Sequence, residues 1–235
     1  MSTSLVQISQ HVWIWPHHAD IDRVQSAVGI IVGESETVLV DAGNSPQLAR
    51  NILSSLEAIK APPLTHIIYT HHHWDHVFGA HMFGVPAVAH EQCRPLLEAM
   101  RQKPWGDEVL KIHERNPNLK LDFTAADWAD FRIVLPEILF SQQLVMTVGG
   151  LTLELRHVGG VHAADSIVVQ VVEDGVMFLG DCYYPANLTE GPIDTVMLAS
   201  LANEPAEIYI DGHRKPMTKA KLDRIIRLYR KSPRA

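Results

Sequence analysis

The chain lacks several features that define whole classes of protein. Its 235 residues include only two cysteines, Cys93 and Cys182, so no disulfide framework is implied and a cytoplasmic location is expected. No apolar run approaches the roughly 20 residues that a membrane helix needs, and the first residues lack the charged start and apolar core of a signal peptide. We therefore expect no membrane partner.

Positive charge is also scarce. The chain carries 20 Lys+Arg against 27 Asp+Glu, a formal net charge of -7. Because binding to phosphate backbones requires clustered Lys and Arg, no nucleic-acid partner is expected. A hydrophobic content of 46% at this length predicts one globular domain over residues 1–235. The expected partner is a small-molecule substrate, and a homodimer is left open.

The one basic stretch begins at Arg214 and ends at Ala235. It holds nine Lys and Arg residues against a single Asp223. Its apolar residues Ile225, Ile226 and Leu228 recur at roughly helical spacing. The favoured interpretation is a surface helix with a solvated basic face, and the alternative is an anion-binding rim near a functional site.

Strands are predicted in two groups, each followed by helical segments. Early β-branched runs include Ala27–Val32 and Thr37–Val40, and a helix follows with Ser45 as its cap and Pro46 at its first position. No G-x-G-x-x-G motif supports a nucleotide-binding fold. The order predicts an α/β protein of two packed sheets with helices outside. Residues 91–131 are predicted to be either a helical insertion that covers a site as a lid or an ordinary pair of surface helices.

Histidine is the abundant residue, with 14 copies. The segment Thr70-His71-His72-His73-Trp74-Asp75-His76 directly follows a predicted strand, His66–Tyr69. Because side chains alternate in an extended chain, His71, His73 and Asp75 are expected to face the same way, and His76 adds a fourth ligand. This is more than one zinc ion needs from one loop, so two metal ions are predicted.

Three further donors follow predicted strands. They are His162 after strand 151–157, Asp181 after strand 176–179 and His213 after the last strand. Ligands at strand ends along one edge of a sandwich make a rigid site.

These motifs resemble those of the metallo-β-lactamase superfamily of metal-dependent hydrolases. The matching pieces are THHHWDH at 70–76, GGVHAADS at 159–166, FLGD at 178–181 and DGH at 211–213. The resemblance implies an αββα four-layer sandwich with two mixed sheets. It also implies that His71, His73 and His162 hold one metal, that Asp75, His76 and His213 hold a second, and that Asp181 bridges both. The expected cofactors are two Zn²⁺ ions, with Fe or Mn as alternatives.

Other residues near these motifs have two interpretations each. His157 competes with His162 as a ligand, and the glycine turn before His162 favours the latter. His72 is expected to pack or to support the ligands. Asp41 is expected to accept a hydrogen bond from a ligand imidazole. Cys182 is either a core residue or a soft donor that alters metal choice.

The resemblance predicts that a hydroxide bridging two metals attacks the carbonyl of a small ester, lactone or thioester. Asp75 would orient the hydroxide, and Tyr184 either stabilises the oxyanion or is a buried structural residue. β-Lactam hydrolysis is an alternative, although Asp181 and Tyr184 stand where the best-known zinc lactamases carry cysteine and lysine. Two further alternatives are a mononuclear iron sulfur dioxygenase and a non-enzymatic binding module with a vestigial site.

Overall fold

The computed structural model describes residues 5–105, 130–184 and 193–231, together with Glu108, Lys111, Glu114, Asn118, Lys120 and Asp127. Five helices lie in these regions: α1 (Pro46–Ala58), α2 (Trp74–Val77), α3 (Cys93–Arg101), α4 (Thr195–Ala202) and α5 (Lys219–Lys231). The strands of the first half are β1 (Val6–Gln7), β2 (Val12–Trp15), β3 (Val28–Val32), β4 (Thr37–Val40), β5 (Leu64–Ile68), β6 (Ala87–His90) and β7 (Ile138–Phe140). Those of the second half are β8 (Gln143–Val148), β9 (Leu151–His157), β10 (Ile167–Val171), β11 (Val176–Gly180), β12 (Ile208–Asp211) and β13 (Met217–Thr218).

Both sheets mix parallel and antiparallel strands. The first sheet runs in the order β1 to β7, and its strands are antiparallel up to β4 and parallel from β4 to β7. The second sheet has the order β13-β12-β11-β10-β9-β8, in which only β11 and β12 pair in parallel. The carboxyl ends of β5, β9, β11 and β12 lead into the segments that carry the predicted donors.

Alternation along the strands divides the core into three layers. In β11, Phe178 faces the space between the sheets, whereas Met177 and Leu179 face α4 and α5. In β4, Val38 faces the other sheet, whereas Leu39 faces α1. Apolar side chains on both faces of a sheet require cover on both sides. The result is the αββα four-layer sandwich that the sequence predicts.

The first long helix begins where the sequence places it. The Ser45 side chain accepts a hydrogen bond from the Leu48 backbone N–H, and Pro46 opens α1. The helix buries Leu48, Ile52 and Leu56 against the first sheet. An N-cap and a proline at the first position satisfy or remove backbone donors that have no helical partner.

Four elements were not predicted, namely α2, β7, β13 and α4. The two strands are only two or three residues long, too short for an alternation pattern to stand out. Of the predicted insertion at 91–131, α3 and Trp105 are described, and most of the remainder lies outside the described residues. Within the described residues, no helix combines the length and apolar character that crossing a bilayer requires.

Candidate metal centre

The loop after β5 is anchored before it turns inward. Thr70 donates from its backbone N–H to Asp41 Oδ1 at 2.7 Å and from its hydroxyl to Oδ2 at 2.8 Å. His73 is still extended, and the single helical turn α2 begins at Trp74. Alternation in an extended chain therefore describes His71 and His73. The expectation that Asp75 follows the same alternation is wrong, because Asp75 lies on α2.

Three histidines form the first donor group. His73 Nδ1 lies 3.0 Å from His71 Nε2 and 3.0 Å from His162 Nε2. One nitrogen from each ring falls within 4.8 Å of the other two. His162 reaches this position from the turn after β9, 89 residues further along the chain.

Two aspartates and two histidines form the second group. His213 Nε2 lies 3.0 Å from Asp75 Oδ2 and 3.2 Å from Asp181 Oδ2. His76 Nε2 lies 3.4 Å from Asp181 Oδ1 and 3.5 Å from Asp75 Oδ2. One donor atom from each of the four residues falls within 4.8 Å of the others. All seven predicted donors thus lie in two adjacent groups.

Asp181 lies between the two groups. Its Oδ2 atom is 3.5 Å from His162 Nε2 in the first group and 3.2 Å from His213 Nε2 in the second. Its Oδ1 atom is 3.4 Å from His76 Nε2. A carboxylate with both oxygens directed at donors of both groups is suited to bridge two cations.

The two groups differ in charge. Burial lowers the pKa of His71 and, with the neighbouring His162, lowers the pKa of His73 to about 4. Burial also opposes charge on His76 and His213, but the Asp181 and Asp75 carboxylates outweigh it. They raise the pKa of His76 well above its ordinary value and that of His213 to about 10. His71 and His73 are therefore neutral, whereas the second group contains paired charges.

The donor atoms fit a divalent cation. Asp75 Oδ2, His76 Nε2, Asp181 Oδ1 and His213 Nε2 are buried without a hydrogen-bond partner among the described residues. Buried polar atoms that lack partners are costly, and a coordinated ion removes that cost. Imidazole nitrogens and carboxylate oxygens are suitable ligands for Zn²⁺ and also suit other transition metals.

Two glycines let strands approach the donors closely. Gly180 has a φ of +52°, and a Cβ there would stand 2.7 Å from the Thr70 side chain. A Cβ on Gly212 would stand 3.0 Å from His76 Cε1 and would collide with the Asp181 carboxylate. A side chain at position 212 would displace two donors, and one at position 180 would displace Thr70, which anchors the donor loop to Asp41.

Supporting hydrogen bonds hold two of the loop histidines. His76 Nδ1 is 2.7 Å from Asp41 Oδ2, which turns its Nε2 toward the second group. His72 faces away from the donors, and its Nδ1 lies 2.9 Å from Asp165 Oδ1. Sequence reasoning missed Asp165 as a supporting residue, although it lies in the quoted GGVHAADS motif. Its partner is 93 residues away, so no local pattern signals the pair.

Tyr184 lies beside both groups. Its ring centroid is 6.4 Å from that of His162 and 5.7 Å from that of His213, and its hydroxyl donates to Asp211 Oδ1 at 2.9 Å. Burial and Asp211 raise its pKa, so the hydroxyl stays protonated. Sequence reasoning quoted Asp211 within DGH without assigning it this contact.

Two residues with competing interpretations lie outside the donor groups. The His157 ring stacks on the His90 ring, with 3.6 Å between the ring centroids, and its Nε2 lies 2.8 Å from the Ala164 carbonyl oxygen. Cys182 is buried in the apolar layer under α4 and α5, and burial raises the pKa of its thiol. Neither residue belongs to the two sets of clustered donor atoms found among the described residues.

Known structures with the same fold include lactamases and sulfatases. A metallo-beta-lactamase from Pontibacter korlensis shares 20% identity, with a TM-score of 0.67 over 97% of this chain and 98% of the other. The stereoselective inverting sec-alkylsulfatase Pisa1 from Pseudomonas sp. shares 16% identity, with a TM-score of 0.68 over 95% of this chain and 40% of the other.

Comparison of amino-acid sequences relates the chain to the same kinds of protein as the comparison of structures. A linear primary-alkylsulfatase from Pseudomonas sp. (strain ATCC 19151) is 25% identical over an alignment 179 residues long, which covers 66% of this chain. The chain matches only 32% of that relative's length. The family model of the metallo-beta-lactamase superfamily matches residues 21–227, nearly the whole chain. The two donor groups therefore lie in a protein that belongs to the metallo-beta-lactamase superfamily.

Proposed function

We propose that this hydrolase-family chain uses two metal ions, with Zn²⁺ as the first choice, to hydrolyse a small carboxylic ester, lactone or thioester. One observation carries the proposal: seven nitrogen and oxygen donors from four separate segments form two groups that share Asp181. A site for a single iron ion, as in the sulfur-dioxygenase alternative, would not require the second group. The substrate is a small molecule, and a cytoplasmic location is proposed from the cysteine content.

Each donor group would hold one of the two ions. His71, His73 and His162 would hold one ion, and Asp75, His76 and His213 the other, with Asp181 shared. When bound, such ions supply a water of lowered pKa and polarise a substrate carbonyl. Asp75 Oδ2 is buried within the second group, 3.0 Å from His213 Nε2, and from this position it would orient the attacking water and accept the proton that this water loses. Tyr184 keeps its proton and can donate to an oxyanion if its hydroxyl turns from Asp211.

Metal analysis combined with a substrate panel tests this proposal. Elemental analysis of the purified chain should find two zinc ions, and the panel should include an ester, a lactone, a thioester and a β-lactam. Asp181→Ala should lower the zinc content and abolish turnover, since both ions lose a ligand. His157→Ala is the matched control, because this imidazole lies outside both groups. One iron per chain, or full activity after chelation, would contradict the proposal.

Sulfate-ester hydrolysis is a second candidate, favoured by the relationship to a linear primary-alkylsulfatase. Because the chain spans about a third of that relative, the relative's activity cannot be transferred whole. A primary alkyl sulfate and 4-nitrophenyl sulfate added to the panel would distinguish the candidates. Turnover of sulfates with no turnover of carboxylic esters would replace the first candidate by the second.

A further inference from the structure

Basic side chains border the donor groups on one side. Arg214 and Lys215 directly follow His213 and are exposed, and His17 is half-buried nearby. The segment that carries His17 runs beside this turn, because the Ala27 backbone N–H donates to the Gly212 carbonyl oxygen at 2.6 Å and the His18 backbone N–H donates to the Gln25 carbonyl oxygen at 3.2 Å. Burial and the nearby positive charges lower the pKa of His17, so it would contribute a neutral N–H donor. We call His17, Arg214 and Lys215 the basic rim.

Arg214 is held in one orientation by two tyrosines. Its guanidinium carbon lies 4.6 Å from the Tyr183 ring centroid and 5.5 Å from that of Tyr184. Its Nε donates to the Tyr184 hydroxyl at 3.2 Å. Because stacking already restricts the guanidinium, it loses little further conformational freedom when it binds a ligand. Its planar set of N–H donors matches the geometry of an oxyanion.

The charge of Arg214 is not used in an ion pair among the described residues, since no described carboxylate lies within 4 Å of its guanidinium. Burial lowers the pKa of Arg214, but Tyr184, Tyr183 and, least of all, the Asp211 carboxylate raise it above its ordinary value. That carboxylate already accepts hydrogen bonds from the Tyr184 hydroxyl and the His213 backbone N–H, both at 2.9 Å. Within the described part of the chain, the guanidinium thus has no carboxylate that competes with an anionic ligand.

Arg214 is also close to both donor groups. The Tyr184 ring that it stacks on contacts His162 of the first group and His213 of the second. An anion bound by Arg214 would therefore lie one side chain away from the expected point of cleavage. The chain as a whole has a net charge of -7, which repels anions. The basic rim provides a local positive potential beside the donor groups that would attract them.

We propose that His17, Arg214 and Lys215 form a subsite for an oxyanionic group of the substrate, a carboxylate or a sulfate, and thereby select anionic over neutral esters. This inference rests on the proposed hydrolysis and names its substrate class. It also gives the basic stretch that begins at Arg214 a divided role: its first two residues form the subsite, and α5 is a surface helix that buries Leu222 and Ile226.

The kinetic test compares 4-nitrophenyl esters that share a leaving group and differ at the far end of the acyl chain. These are 4-nitrophenyl hemiglutarate, its neutral methyl ester and, for the sulfate source, 4-nitrophenyl 4-sulfooxybutanoate, whose sulfate lies away from the ester that is cleaved. Arg214→Gln should lower the ratio of kcat/KM for the charged over the neutral ester by about tenfold or more, because a charge-assisted contact is lost. Arg214→Lys should recover part of that ratio.

The control for this kinetic test is a lysine that lies far from the basic rim. Lys60→Gln removes one positive charge before the start of β5, at the far end of the strand that leads to the site, and should change the ratio by less than about twofold. A fall confined to hemiglutarate assigns a carboxylate, and a fall confined to the sulfate assigns a sulfate ester. An equal loss for charged and neutral esters would overturn the subsite.

A binding measurement separates this inference from the proposed reaction. Calorimetry of the zinc-loaded protein with monomethyl glutarate and with 1-butanesulfonate should show at least about tenfold weaker binding of one of them to Arg214→Gln than to the wild type. If the wild type cleaves none of the esters, the proposed reaction fails, and calorimetry still decides the subsite. Equal affinities of wild type and variant for both anions would refute it.

Discussion

At the scale of single residues, the two donor groups have opposite proton requirements. His71 and His73 have lowered pKa values and are neutral at pH 7, whereas His76 and His213 have raised values and are protonated. A cation must displace the protons of the second pair but none from the first. Below a raised pKa the proton competes with the cation, so affinity for the second group should rise with pH between about 6 and 8.

Two variants isolate the groups for this measurement. His73→Ala weakens the three-histidine group and His213→Ala the second group, and each is titrated with Zn²⁺ by calorimetry in buffers of different ionisation enthalpy. Zinc binding at the remaining site should release more protons per ion in His73→Ala, which keeps the protonated His76 and His213, than in His213→Ala, which keeps the neutral His71. Equal proton release in the two variants would contradict the assigned charges.

Tyr184 gives a second prediction at this scale. If its hydroxyl stabilises an oxyanion, Tyr184→Phe should lower kcat by about 10²-fold with zinc content unchanged. If the residue is only structural, loss of the bond to Asp211 should cost about 1 kcal/mol of unfolding free energy and leave kcat intact. Tyr183→Phe is the control, because its ring packs against Tyr229 and away from the donor histidines. Steady-state kinetics and chemical denaturation distinguish the two roles.

At the scale of elements, the site depends on how closely β12 approaches α2 and β11. Gly212 follows β12, and a Cβ there would press on His76 and Asp181. We expect Gly212→Ala to keep the fold, as measured by circular dichroism, and to bind fewer than two zinc ions. Gly84→Ala is the matched control: its φ of +67° makes alanine strained, but its Cβ meets open space, so metal content should not change. Full zinc content in Gly212→Ala would show that the close approach is dispensable.

At the scale of the whole molecule, one carboxylate joins the two sheets away from the site. Asp174, in the turn between β10 and β11, accepts hydrogen bonds from the Ser9 hydroxyl and from the His11 backbone N–H, the latter at 2.8 Å, and its Oδ1 lies 2.7 Å from His11 Nδ1. Burial alone would raise the pKa of Asp174, but these contacts lower it. A lowered pKa in the folded state stabilises the protein above the unfolded value of about 3.9, and this stability is lost as the pH falls through the folded value.

Asp174→Asn should therefore lower the free energy of unfolding at pH 7 by about 1–3 kcal/mol and flatten its decline below about pH 4. Urea denaturation at a series of pH values measures both effects. Glu57→Gln, on the exposed side of α1, is the control and should change stability by less than about 0.5 kcal/mol. If the free energy of unfolding of Asp174→Asn falls below pH 4 as steeply as that of the wild type, this contact between the sheets does not contribute to acid sensitivity.

Much of the fold could be predicted because local patterns decide it. The strands Thr37–Val40 and Leu151–His157 have the predicted bounds, and Ser45 caps α1 as predicted. The segment 70–76 was recognisable because its donors are adjacent in sequence, and the three distant donors were found by their position after predicted strands. The short strands β7 and β13 were missed because their partners, not their own residues, make them strands.

Composition, periodicity and motif order by themselves determined the layered α/β fold and the seven candidate donors. The reason for the fold is that strands with apolar residues on both faces must be buried on both faces. The resemblance already implied that Asp75 shares a metal with His213 and that Asp181 bridges the two groups. Only the tertiary structure decided the distances between these donors, the helical turn that carries Asp75, and the position of Arg214 over Tyr183 beside them. These contacts join residues that are 19 to 138 positions apart in the sequence, and their distances depend on strand pairing and sheet packing, which no local pattern encodes.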